Sequence, residues 1–237
     1  MKKVKFSIIV PALQESDKIN SLVEHLVGLK SSQNTEIIVV DGNPNGDTIQ
    51  AIGSDRVNKI LAPKGRARQM NAGASVAEGE ILVFLHADTE LPRNALRKIY
   101  LTIAQGRYVG GAFELRIDSK QIRFRMLARL ASLRCRLTRI PYGDQAIFLK
   151  RDYFNRIGGY KDIPLMEDVE LMRRIKRRGG KICILPEPVK TSPRRWEQEG
   201  FMYVNVRNAF LFTSYILGVS PEKLVSFYKD TYKKNIE

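Results

Sequence analysis

The sequence predicts an α/β protein with a Rossmann-like, mainly parallel sheet, flanking helices and a helical C-terminal extension. Three observations predict it. Short apolar runs of strand length alternate with helical periodicity from Phe6 to Leu85. Each run stops at small, polar or acidic residues. The run Ile81–Leu85 is apolar throughout, the pattern of a strand buried on both faces.

Taken in order, Phe6–Val10 is a strand that breaks at Pro11-Ala12-Leu13-Gln14-Glu15. Ile19, Leu22, Val23, Leu26 and Leu29 then recur at helical spacing. Ile37–Val40 is a second strand, ending at Asp41-Gly42 and followed by the turn-rich loop Asn43–Asp47. Val57–Leu61 is a third, ending at Pro63-Lys64-Gly65, and Arg66–Ala77 is a small-residue helix with Met70, Ala74 and Ala77 on one side. The fourth strand, from Glu80 to Leu85, stops at His86-Ala87-Asp88. In an open α/β sheet these ends line up along the carboxyl edge, where ligands bind. An acid at the end of a central strand is placed to hold a divalent cation against a diphosphate; the alternative for Asp88 is a turn cap before Pro92.

Further on, Gln121–Arg139 carries six arginines and no acid, with Ile122, Met126, Leu130, Leu133 and Leu137 along one side. That stripe is read as core with a solvated opposite face; an anionic membrane contact or a lid over an anionic substrate are the alternatives. Val169, Met172 and Ile175 mark an amphipathic helix closing at Gly179-Gly180, which puts Glu167 and Asp168 in its first turn. Phe201–Leu217 and Glu222–Tyr232 read as two helices, the second opened by Pro221. They are expected to pack on the domain, with a homodimer surface or an interfacial anchor as the other readings.

The 237 residues suit one substantial core, divided here into a domain over 1–200 and an extension over 201–237. Within that domain, residues 1–90 and 91–200 are expected to form two halves. Forty Lys and Arg against 25 Asp and Glu give a net charge of +15, which calls for an anionic partner. Nucleic acid is not expected, because no basic strand is interleaved with aromatics. Cys135 and Cys183 form no framework, the start of the chain does not read as a signal peptide, and the most apolar stretch, Ala209–Val219, is too short to span a bilayer. These features point to a cytoplasmic protein, with the inner face of the membrane as a peripheral station.

Several segments together resemble family 2 glycosyltransferases of the GT-A fold. Pro11-Ala12-Leu13-Gln14-Glu15 resembles the family's Pro-x-x-Asn-Glu opening, with Gln14 for Asn. Val39-Val40-Asp41-Gly42 resembles its strand-two aspartate, which contacts the donor base. Gly65-Arg66-Ala67-Arg68-Gln69-Met70-Asn71-Ala72-Gly73 resembles the segment that approaches the pyrophosphate, and His86-Ala87-Asp88 stands where the family has Asp-x-Asp. Gly110-Gly111-Ala112-Phe113, Pro141-Tyr142-Gly143-Asp144-Gln145, Met166-Glu167-Asp168-Val169-Glu170 and Arg194-Arg195-Trp196 extend the match, and with them the chain is similar to the radical-SAM/selenodomain-associated transferase 2 subgroup.

The resemblance implies transfer of a sugar, with inversion, from a nucleotide-diphosphate donor, UDP by preference, to an unidentified small-molecule or lipid acceptor. It implies Mg²⁺ or Mn²⁺ at Asp88, with His86 packing or touching the donor. Pro11, Ala12, Leu13, Glu15, Asp41, Gly65, Arg66, Arg68, Asn71, His86 and Ala87 are the implied donor contacts. Arg66 and Arg68 at a helix N-terminus suit phosphate. Asp168 is the implied general base, with Glu167 beside it. Gly110, Gly111, Tyr142, Asp144, Gln145, Arg195 and Trp196 are the implied acceptor side. The Gln that precedes the Arg-Trp pair in processive enzymes is absent here, so polymer synthesis is not expected. A catalytically silent nucleotide-binding or membrane-peripheral scaffold is the other reading, but a scaffold has no need to keep Asp41, Asp88, Glu167 and Asp168 together.

Overall fold

The computed structural model describes residues 5–29 and 34–227. Four parallel strands open the chain: β1 (Phe6–Ala12), β2 (Thr35–Asp41), β3 (Val57–Leu61) and β4 (Ile81–Phe84). Helices α1 (Ile19–Val27), α2 (Asp47–Gln50) and α3 (Arg66–Val76) connect them. After the two-residue β5 (Thr89–Glu90) come α4 (Ala95–Ala104), β6 (Gly110–Ile117) and α5 (Ile122–Thr138). A 3-10 turn at Gly143–Gln145 leads into β7 (Ile147–Lys150), α6 (Arg151–Arg156), α7 (Glu167–Arg177) and β8 (Ile182–Thr191). Helices α8 (Arg194–Glu199), α9 (Phe201–Ile216) and α10 (Pro221–Val225) follow. The last expected helix, Glu222–Tyr232, opens at Pro221 but already ends at Val225; positions from 228 on lie outside those described.

All eight strands form one sheet in the order β3-β2-β1-β4-β7-β6-β8-β5. The first four are mutually parallel, β7 runs antiparallel to both β4 and β6, and β8 is parallel to β6. The change of direction falls between β4 and β7, beside the end of β4 that carries His86-Ala87-Asp88. Two cores follow from the pleat, because successive side chains point to opposite faces. Ile8 and Val10 of β1 pack with α1, α4 and Phe124 of α5. Ile9 faces the other way, onto α3, α6 and α7.

Two expectations are corrected. The apolar stripe of α5 is not core: Ile122, Met126, Leu130, Leu133 and Leu137 are all more than half exposed, and Leu137 reaches 76%. The helix packs instead through Phe124, Ala128, Ser132 and Cys135, three small side chains and one ring that allow a close approach to β6. Gly110 and Gly111, expected on the acceptor side, are not among the residues lining the cavity at the carboxyl ends of β1 and β4. They lie in the sheet, where a Cβ would stand 2.2 Å from the carbonyl oxygens of Phe148 and Cys183.

Among the described residues no helix is long and apolar enough to cross a membrane. Cys135 and Cys183 are free thiols. Helix α9 packs through Val204, Arg207 and Leu211.

Gly110→Ala and Gly111→Ala force a methyl against strand backbone, which cannot yield as a flexible side chain does. Each is expected to destabilise the fold by about 1–3 kcal/mol or more, read as a lower urea midpoint at unchanged slope.

Candidate active site

A cavity of about 370 Å³ opens at the carboxyl ends of β1 and β4. Pro11, Ala12, Leu13, Gln14 and Glu15 form one wall and His86, Ala87 and Asp88 the floor. The opposite wall is Tyr142-Gly143-Asp144 together with the start of α7, including Glu167 and Asp168. Arg66 reaches in from the first turn of α3, and Arg195 and Trp196 from α8. Fourteen of the residues singled out in the sequence therefore meet here, from segments more than 180 positions apart.

The carboxylates are held on one wall. Asp168 Oδ2 accepts the Gly143 N–H at 2.7 Å, and Oδ1 accepts its neighbour Val169 N–H at 2.7 Å. Gly143 is glycine for a steric reason, since a Cβ there would lie 2.7 Å from His86 Nε2. Glu167, 5% exposed, has its Oε1 3.7 Å from Arg66 Nη1. Burial and the charge of Asp168 push the Glu167 carboxyl up to about 7. Burial, with Asp168 again adding, raises Asp144 to about 6. Burial also raises Asp168, opposed by its two N–H donors and by Arg66.

The cationic side is equally defined. Arg195 is lowered by burial and then by the nearby charge of Arg66, the signature of two guanidiniums facing one space. Its Nε donates to Glu199 Oε1 at 3.1 Å, and Glu199 also pairs with buried Arg207 of α9. Burial and Arg66 push His86 down to about 4, so its ring is neutral at neutral pH. Trp196 stacks edge-on to Phe124 and donates from Nε1 to Asn205 at 3.3 Å. The Tyr142 ring lies under Arg134 at 3.8 Å and against the edge of Phe212.

The remaining predicted residues stand away from the cavity, each with identifiable partners. Asp41 is fully buried, and its carboxylate accepts N–H groups from Asn43, Thr48 and Ile49, so it shapes the loop after β2. Arg68 pairs with Asp162 at 2.8 Å on the surface. Asn71 exchanges hydrogen bonds with the Tyr160 backbone. Gly65 stands at the N-cap of α3. Gln145 donates to the Phe113 carbonyl and accepts the Tyr142 N–H, fixing the turn that carries Asp144.

Of the cavity residues outside the predicted site set, two tie its walls together. Gln69, buried on α3, donates to the carbonyls of Ala12 and Val40 at 2.7 and 2.8 Å and ties the ends of β1 and β2 together. Arg194 forks onto Glu15, with Nη2 2.6 Å from Oε1 and Nη1 3.3 Å from Oε2, and so links the first loop to α8. Nothing local signals Arg194, because its partner lies 179 positions away.

The family model for glycosyl transferase family 2 matches residues 7–161, more than half of the chain. The chain belongs to glycosyltransferase family 2. Its sheet and flanking helices have the GT-A fold, which is also that of the mannosyltransferase PcManGT from Pyrobaculum calidifontis, solved with GDP-Man and Mn²⁺. That superposition has a TM-score of 0.68 at 21% identity and covers 92% of this chain and 66% of the other. S. aureus TarS 1–349, solved with UDP-GlcNAc, gives 0.61 at 16% identity over 79% and 58%. In sequence, the probable glycosyltransferase YdaM of Bacillus subtilis is 25% identical over 220 residues, covering 82% of this chain. The chain spans about half the length of that relative.

Family 2 membership leaves the carboxylate wall with a measurable signature. A buried acid raised above its unfolded value binds more protons in the native state, so stability falls as pH rises from the ordinary carboxylate range toward 7. For one carboxyl raised to about 7 the loss is on the order of 3 kcal/mol. Glu167→Gln keeps the shape without the charge and is expected to flatten the decline in urea-unfolding stability between pH 5 and 8.

Proposed function

We propose that this chain transfers a sugar from a nucleotide-diphosphate donor to an acceptor hydroxyl, with inversion at the anomeric carbon. The observation that carries this reading is one cavity with two guanidiniums, Arg66 and Arg195, facing a carboxylate wall in which Asp168 is held by two N–H donors. The guanidiniums suit a leaving diphosphate. An ionised Asp168 suits removal of the acceptor proton. The acceptor oxygen attacks the anomeric carbon and its proton passes to Asp168. The bond from that carbon to the diphosphate breaks, and its electron pair leaves with the diphosphate.

A divalent cation fits the floor of the cavity in one way. Among the described residues no three His, Cys, Asp or Glu side chains converge on a point. Asp88, on the cavity floor, would hold Mg²⁺ or Mn²⁺, hard cations that carboxylate oxygens suit. Such an ion would neutralise charge on the departing diphosphate. The solved neighbours with GDP-Man and Mn²⁺ and with UDP-GlcNAc support a nucleotide-sugar donor. UDP is the base we assign first, on the resemblance of the strand-two segment. Since Asp41 is fully buried, it acts on the base through the turn it holds. The likeness of the later segments to the radical-SAM/selenodomain-associated subgroup points to a small metabolite or a lipid as acceptor.

Calorimetry with UDP, GDP, UDP-GlcNAc and GDP-mannose, with and without Mn²⁺, tests the donor half. One nucleotide is expected to bind in a Mn²⁺-dependent manner and to lose at least tenfold in affinity with Asp88→Ala. Asp168→Asn should bind donor normally yet reduce transfer, or slow donor hydrolysis, by roughly 10²–10⁴-fold. If none of the nucleotides binds wild type, the transferase reading fails.

A further inference from the structure

The outer faces of α5 and α9 are apolar in a way the fold does not require. On α5 the exposed stripe of Ile122, Met126, Leu130, Leu133 and Leu137 lies opposite the face that packs on β6. The exposed positions of α9, among them Met202, Val206, Phe210 and Ile216, include no charged side chain. The two helices lie side by side and run the same way. Arg123 sits 5.1 Å over the Phe201 ring and Arg134 5.8 Å from the Phe212 ring, contacts spaced equally along both helices. In each helix these contacts occupy the flank between the buried and the exposed face, so both apolar stripes look away from the sheet on the same side.

The charges carried by the two helices themselves are of one sign. Neither α5 nor α9 contains an acid. Exposed Arg123, Arg125, Arg129 and Arg136 border the α5 stripe. On the flank away from α9, a groove of about 490 Å³ between α5 and β6 is lined by Arg116, Arg125, Arg129 and Arg136, with Glu114 pairing the last of them.

We propose that this face docks on an anionic lipid surface, with the apolar stripes of α5 and α9 in the headgroup–acyl boundary and the arginines on lipid phosphates. Apolar side chains bordered by arginine on a helix lying flat are the composition such a boundary selects. Charge complementarity chooses the occupant. A second copy would bring arginine against arginine on a chain of net charge +15, whereas an anionic bilayer supplies both the apolar layer and the counter-charge. The inference does not depend on the transferase reading, since none of the stripe residues lines the cavity.

Co-sedimentation of the full chain with vesicles tests it, comparing phosphatidylcholine alone with a mixture containing about one third phosphatidylglycerol. Wild type is expected to bind the anionic vesicles at least tenfold more tightly and to release in high salt. Arg125→Gln with Arg129→Gln should weaken binding by about fivefold per arginine. Leu130→Glu with Leu133→Glu on α5, and separately Met202→Glu with Val206→Glu on α9, should abolish it without lowering the thermal midpoint. Wild type remaining in the supernatant, or binding neutral and anionic vesicles alike, would overturn the proposal. So would a wild-type dimer in light scattering that the α5 pair dissolves into monomers, because the face would then belong to a second copy.

Discussion

The site rests on a balance of opposed charges held out of bulk water. Asp144, Glu167 and Asp168 share one wall, and burial works against ionising all three. Arg66 and Arg195 share the other side, where burial and then the charge of Arg66 lower Arg195. Neither set suits the chain alone. Each is tolerable because the other is close and because backbone donors, Gly143 and Val169 on Asp168, stabilise charge without adding a titratable partner. A diphosphate entering beside the guanidiniums would complete the compensation that the protein provides only in part.

Much of the surrounding architecture keeps α7 where that balance needs it. The helix starts immediately at Glu167, from a left-handed Met166, so the acids occupy its first turn and meet the positive end of its dipole. Its position is pinned further along by Arg174, which is buried and donates to the carbonyls of Ile157 and Gly159, both at 2.6 Å, and to Glu170 at 2.7 Å. Breaking such a buried pair by removing one partner leaves a charge stranded, so the strut is costly to lose even though its net worth to stability is modest. On the same face of the sheet, Gln69 of α3 clamps the ends of β1 and β2, which fixes the loop carrying Glu15. The sheet changes direction between β4 and β7, so the parallel half presents Asp88 and the returning half presents Tyr142 to Asp144 to the same space.

What the sequence disclosed and what it hid divide along physical lines. Strand cores and their polar ends were legible because burial on both faces demands unbroken apolar runs, and the first-turn acids of α7 because Val169, Met172 and Ile175 set the helical phase. Long-range polar partners were not legible. The Arg194–Glu15 fork and the Arg174 strut are decided by tertiary placement, and in the sequence Arg174 is indistinguishable from its exposed neighbours. Helix α5 misled for a different reason. Periodicity reports that one side is apolar but not which side is buried, and here the packing side is chosen by small residues, Ala128, Ser132 and Cys135, that let the backbone close on β6. Larger side chains had to go outward.

That reversal bears on how the site is held. Helix α9 contributes Asn208 and Leu211 to the cavity wall while its opposite side carries the apolar stripe. Buried Arg207 on the same helix pairs with Glu199, and Glu199 in turn holds Arg195, one of the two guanidiniums facing the cavity. Hydrogen-bonded ion pairs out of water are stiff, because lengthening one exposes both charges to an environment that does not solvate them. A displacement of α9 is therefore carried to Arg195 through two such pairs, whereas a displacement of α5 reaches the cavity through the ring contacts of Phe124 with Trp196 and of Arg134 with Tyr142, and through the bond from Arg134 to the Ile140 carbonyl. The two outward helices are alike in composition and unlike in consequence. What presses on α9 acts on Arg195, and what presses on α5 acts on Arg134, whose charge opposes the rise of both Asp144 and Asp168.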